Sequence, residues 1–96
     1  MKDIKVLTNI QICSGFINHV GLYKNYMVII DSEPGNNCYI TKDYPYKDLK
    51  DFEYIDFRIE SNFDIIKSFR FNIDVENITK DQMKVYTKRA LKHIGM

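Results

Sequence analysis

Residues 79–95, TKDQMKVYTKRALKHIG, decide whether this chain is all-β or α+β. Thr79 is a favourable N-cap, and Gln82 three residues later completes a capping box, in which each side chain satisfies the other residue's backbone N–H. Met83, Tyr86, Ala90, Leu91 and Ile94 then recur at helical spacing on one face. Gly95 is the expected terminator, because glycine accepts the left-handed backbone on which many helices end. The pattern predicts an amphipathic helix from Thr79 to Ile94.

Upstream the period changes from helical to alternating. Ile4, Val6, Ile10 and Ile12 share one parity, with Lys5, Asn9 and Gln11 on the other, which predicts a half-buried strand. A second strand is expected from Phe16 to Leu22. Placing Ile12 opposite Phe16 and Val6 opposite Leu22 requires an odd connection, and Cys13-Ser14-Gly15 supplies it. The same register sets Gln11 against Ile17 and Asn9 against His19. Lys24-Asn25 is a tight turn, and Tyr26-Met27-Val28-Ile29-Ile30 is apolar at both parities, as a central strand covered on both sides would be. Asp31 to Asn37 is a loop punctuated by Pro34-Gly35. Cys38 to Thr41 then continues an antiparallel meander.

The middle of the chain is less regular. Tyr44-Pro45 interrupts any strand, and Pro45 to Asp51 suits one or two helical turns. Ile55, Phe57 and Ile59 alternate as a further strand. Phe69, Phe71, Ile73 and Val75 alternate with Ser68, Arg70, Asn72 and Asp74 as the cleanest amphipathic strand, while Phe63 to Lys67 reads either as its extension or as a helical turn. The expected fold is therefore α+β: five to six mostly antiparallel strands with the C-terminal helix packed on one face, in a single domain spanning 1–96.

Composition narrows the function classes. Ile occurs fourteen times against four Leu, Lys eleven times against three Arg, and Asn eight times. All the favoured residues have AT-rich codons, so a low-GC genome is expected, a class that includes many bacteria, phages and large viruses. Net charge is +1, too little for a global field that would steer the chain to nucleic acid or membrane. The distribution is uneven. Residues 1–77 carry nine basic and twelve acidic side chains, and residues 78–96 carry five and one. Cys13 and Cys38 are 25 positions apart, and with only His19 and His93 beside them they compose no zinc motif. A reducing cytoplasm, including that of a host cell, is the expected compartment, and a Cys13–Cys38 disulfide is the competing reading. Met1-Lys2-Asp3 runs straight into strand-like alternation, so no secretory leader is expected, and no apolar run approaches the ~20 residues of a membrane span.

Two surfaces are candidates for binding. Lys80, Lys84, Lys88 and Lys92 recur every fourth residue with Arg89 beside them. Like charges at that spacing cost about 0.2–0.5 kcal/mol per pair, so stability alone would have mixed in glutamate. Such a face suits an anionic partner; used on phosphates, four lysines should give a log–log salt slope of about −3.6. The competing readings are a plain solvated face and pairing with the chain's own carboxylates. The second candidate is the acidic, aromatic stretch around Tyr44, Tyr46, Asp48, Asp51 and Tyr54, since tyrosines make effective interface anchors. No catalytic, cofactor or metal-binding residue stands out. Cys13 and His19 share a parity but are diagonal at best, and nothing nearby lowers the thiol pKa. The expected function is a non-enzymatic protein-binding module, of the kind a phage or mobile element uses to inhibit a host defence factor. The alternative is a nucleic-acid-binding accessory protein acting through the basic helix. Self-association between oppositely charged segments is a third expectation.

Overall fold

The computed structural model describes residues 3–11, 17–31, 37–42, 65–74 and 77–96. Among the described residues five strands precede one helix: β1 (Lys5–Gln11), β2 (Ile17–Tyr23), β3 (Tyr26–Asp31), β4 (Asn37–Lys42), β5 (Ile65–Arg70) and α1 (Lys80–Lys92). The strands form one sheet in sequence order, every neighbour antiparallel, and α1 packs on one face. This is the α+β architecture that the sequence pattern predicts. The strand expected at 55–59, the helical turns at 45–51 and the tip at 33–36 lie outside the described residues.

β3 is the middle strand, and Met27, Val28, Ile29 and Ile30 are all buried, as its doubly apolar run predicts. Val28 and Ile30 meet α1 in a cluster with Ile4, Val6, Cys38, Ile40, Ile78, Met83, Ala90 and Leu91. Met27 and Ile29 alternate with them and so belong to the opposite face, as do their partners Val20, Leu22 and Thr41; these too are buried. The β2–β3 hairpin turns on Lys24-Asn25. Lys24 takes φ 53°, the positive value that both common two-residue hairpin turns need at their first position.

β1 departs from the predicted register at one point. Gln11↔Ile17 pairs as the odd connection requires, but Val6 faces Gly21, and Leu22 faces Lys5. The slip lies between Leu7 and Ile10, where Thr8 and Asn9 together span the position opposite His19. Asn9 adopts φ 55°, a left-handed conformation that asparagine tolerates better than most residues. The bulge reverses the parity of β1, so Ile10 shares a face with Leu7 rather than with Ile4 and Val6. Two hydrogen bonds hold it. The Asn9 backbone N–H donates to His19 Nδ1 at 2.9 Å, and the Asn9 side-chain amide donates to the Ile78 carbonyl at 3.0 Å, just before α1. His19 is completely buried, and because Nδ1 accepts a hydrogen bond it carries no proton there.

Gly21 fixes how closely α1 can approach. A Cβ at this position would lie 2.8 Å from Thr87 Cγ2 and 2.9 Å from Thr87 Cβ, and closer still to its hydroxyl. A glycine in a strand interior commonly marks such a close backbone approach. Thr87, whose polarity kept it out of the predicted apolar stripe, is fully buried here. Its hydroxyl donates to the Met83 carbonyl at 2.7 Å, so its burial leaves the donor satisfied.

The last strand also differs from expectation. β5 covers residues 65–70, and residues 71–74 are not strand, although Phe71 is buried. The ladder ends at Asn37↔Arg70 because β4 itself begins at Asn37. Beyond that pair no described residue of β4 remains to bond, and buried Phe71 lies against Tyr86 of α1.

Candidate interaction surface on the cationic helix

The ends of α1 are fixed as the sequence predicts. The Thr79 N–H donates to Gln82 Oε1 at 2.9 Å, and the Gln82 N–H donates to Thr79 Oγ1 at 3.1 Å, closing the capping box. At the other end Gly95 takes φ 84°. The Met96 N–H donates to the Leu91 carbonyl and the Gly95 N–H to the Lys92 carbonyl, both at 3.1 Å, the bond pair of a Schellman motif. Met83, Thr87, Ala90 and Leu91 are buried. The helix orientation is thereby set, and so is what it shows to solvent.

Lys80, Lys84, Lys88, Arg89 and Lys92 are all exposed. None of the four lysines forms an ion pair among the described residues. Pairing with the chain's own carboxylates, one of the two competing readings of this face, is not seen among the described residues, and the acidic stretch 43–64 lies outside them. Asp81 in the first turn and Arg89 and Lys92 in the last suit the helix dipole, but Lys80 and Lys84 near the N-terminus do not.

Val85 was not singled out by sequence. It is 51% exposed, with Lys88 and Arg89 one turn further on and Asp81 and Gln82 one turn back. The signal was legible: Val85 points away from the stripe of Met83, Thr87 and Ala90, so a β-branched apolar residue stands where helices normally place charge.

Arg89 is held in place. Its guanidinium lies 5.6 Å from the centroid of the Tyr86 ring, a cation–π distance. Tyr86 contacts Phe71 at 5.9 Å, Phe71 contacts Phe69 at 5.3 Å, and Phe69 stacks on His93 at 4.1 Å with 20° between planes. This chain of rings links Tyr86 of α1, through buried Phe71, to Phe69 of β5 and on to His93 just past the helix.

Tyr44, Tyr46, Asp48, Asp51 and Tyr54 lie outside the described residues.

Cys38 is a free, fully buried thiol, so it is not disulfide-bonded to Cys13, which lies outside the described residues. Burial pushes its pKa up to about 12, leaving it protonated and a poor nucleophile. Among the described residues no three His, Cys, Asp or Glu side chains gather as a metal site, and no helix is long and apolar enough to cross a membrane. No family model, curated protein or solved structure matches this chain.

Proposed function

We propose that the chain is a non-enzymatic protein-binding module and that the outer face of α1 docks on an acidic surface of its partner. The observation that carries this reading is Val85, half exposed beside Lys84, Lys88 and Arg89, none of whose charges is neutralised by a carboxylate among the described residues. An exposed apolar residue flanked by cations on one side and by Asp81 and Gln82 on the other has the layout of a protein–protein contact, with an anchor at its centre and a polar rim. A surface built only for phosphates would have no use for the valine. Arg89, set against Tyr86, brings a preorganised cation of the kind enriched at interface hot spots. A partner of this sort would suit an inhibitor encoded by a phage or mobile element, acting on a host factor in the host cytoplasm.

The test is an affinity capture from the source cell after nuclease treatment, with wild-type protein and with Lys84→Glu/Lys88→Glu and Val85→Asp variants. The module reading expects a nuclease-resistant partner that both variants lose. Capture that disappears with nuclease, or binding to oligonucleotides with a log–log salt slope near −3.6, would transfer the surface to nucleic acid.

A further inference from the structure

Among the described residues His19 is the one basic side chain that is buried, and it is buried completely. It pairs with Ile30, and Gly21 two residues on pairs with Val28. Val28 and Ile30 belong to the cluster under α1, and Gly21 meets Thr87, so the imidazole lies on the sheet face that the helix covers. Its Nδ1 accepts the Asn9 N–H at 2.9 Å. A neutral imidazole whose Nδ1 accepts has its proton on Nε2. A second proton can therefore enter only at Nδ1, and only after Asn9 has let go. This holds whatever the Nε2–H meets.

Asn9 is the left-handed residue of the β1 bulge, at φ 55°. Its side-chain amide also holds the Ile78 carbonyl, one residue before the N-cap Thr79. One residue thus couples the imidazole to the start of α1. The charges around the ring do not favour a cation. Across Ile30 on the same face is Cys38, whose thiol, pushed up to about 12 by burial, stays neutral in acid. The inward residues of α1, Met83, Thr87, Ala90 and Leu91, carry no charge, and its lysines, Arg89 and Asp81 are exposed. On β1 Lys5 is exposed, on β2 and β3 the same face carries Tyr23 and Tyr26 further along, and Asp31 of β3 has the opposite parity. No described carboxylate therefore faces the ring to hold a proton on it, and an uncompensated imidazolium is costly in a core.

We propose that the Asn9–His19 bond is an acid-released latch: a proton taken up at His19 Nδ1 breaks it, and the ring and the bulge come away together and let α1 lift from a sheet whose β2–β4 ladder stays paired. Neutral pH holds the latch closed. A released imidazole has the ordinary proton affinity of histidine, half-saturated near pH ~6.5. Below that value the open form binds a proton that the closed form excludes. The open fraction therefore grows by up to about tenfold per pH unit as pH falls. The latch does not depend on what the outer face of α1 binds.

The experiment follows the full-length, isotope-labelled chain by NMR from about pH 7.5 down to about pH 5, above the range in which most carboxylates titrate. Imidazole nitrogen shifts report the protonation of His19, and a His93→Gln chain separates the two histidines. Amide exchange is expressed as protection relative to the unstructured chain at each pH. The expected result at the upper end is a neutral His19 with its proton on Nε2. Below about pH 6.5 the protection of Asn9, Met83 and Thr87 should fall by up to about tenfold per pH unit, while Val28 and Ile29 keep theirs. His19→Gln offers Asn9 an acceptor that does not titrate, and its α1 protection should be flat. If that chain does not fold, the ring nitrogens and amides of the wild type decide alone. A charged His19 with α1 still protected, α1 protection that is flat in the wild type or falls equally in His19→Gln, or α1 and β3 amides released together would each overturn the latch.

Discussion

β1 and β5 both end the described sheet, yet Val6 of β1 and Ile4 just before it are buried against α1 and Asn9 is tied to Ile78, next to the helix N-cap, while β5 leaves five of its six residues exposed. The helix repeats this contrast between its own two faces. Its inner face is packed closely enough that Gly21 cannot bear a side chain, and its outer face holds four lysines that no described carboxylate neutralises. Residues next to β1 and β2 are therefore held by packing, whereas the outer flank of α1 is exposed and has no ion pair among the described residues. Substitutions on the first set should cost stability, and substitutions on the second should cost binding alone.

The largest expected loss is at Gly21. A Gly21→Ala chain must push Thr87 away or shift α1, at a cost of about 3 kcal/mol in denaturant unfolding. Adding Thr87→Ala removes the hydroxyl and methyl nearest the new Cβ and should restore part of that loss. If the two substitutions simply add, Gly21 is not what sets the helix distance.

Next is Asn9. Asn9→Ala loses the bond to the Ile78 carbonyl and places a residue ill suited to φ 55°, for an expected loss of about 2 kcal/mol. Asn9→Gly keeps the backbone freedom and should lose only about half as much. Equal losses would show that the conformation of the bulge is unimportant and that the side-chain bond does all the work.

Cys38 gives a pH signature of the buried side. Its thiol has a reference pKa of 9.0 in the unfolded chain and is pushed up to about 12 in the fold. Between those values the unfolded chain has released the proton that the folded chain retains. The stabilising contribution is complete below pH 9 and is lost as pH rises towards 12, with a slope of up to about 1.4 kcal/mol per pH unit. Wild-type and Cys38→Ala proteins, unfolded in parallel between pH 8 and pH 10.5 or so, should diverge in slope above about pH 9. Parallel profiles would mean that Cys38 is more accessible than its packing against Ile30 and Phe69 implies.

Much of this division could be read from the amino acids, and the misses have physical causes. The helix was legible because its signals are local and mutually consistent: Thr79 with Gln82, the apolar stripe, and Gly95. The β2–β3–β4 meander was legible from the apolar run at 26–30 and its turns. The face of Ile10 was misjudged because one left-handed asparagine shifts parity, and nothing local distinguishes Asn9 from an ordinary polar strand residue. Of the two readings of 63–67, the extension of the strand holds for 65–67, and the strand ends earlier than expected because its length depends on its partner, whose described part starts at Asn37. Of the two candidate surfaces, the lysines fall where expected. Val85 was passed over although the helical spacing already sets it off the apolar stripe, and Ile65 and Ile66 because an apolar strand residue draws notice only once its neighbours show that it faces water.

The smallest stability effect is expected where the account depends on it most. Denaturant unfolding of the Lys84→Glu/Lys88→Glu chain tests directly whether the lysines of α1 serve the fold or face outward for a partner. Reversal replaces two of the three like-charge pairs, Lys80 with Lys84 and Lys88 with Lys92, by opposite-charge pairs. Stability should therefore be unchanged or higher by about 0.5 kcal/mol. A loss of more than about 1 kcal/mol would contradict the account, because it would mean that these lysines are neutralised within the chain and are not available to a partner.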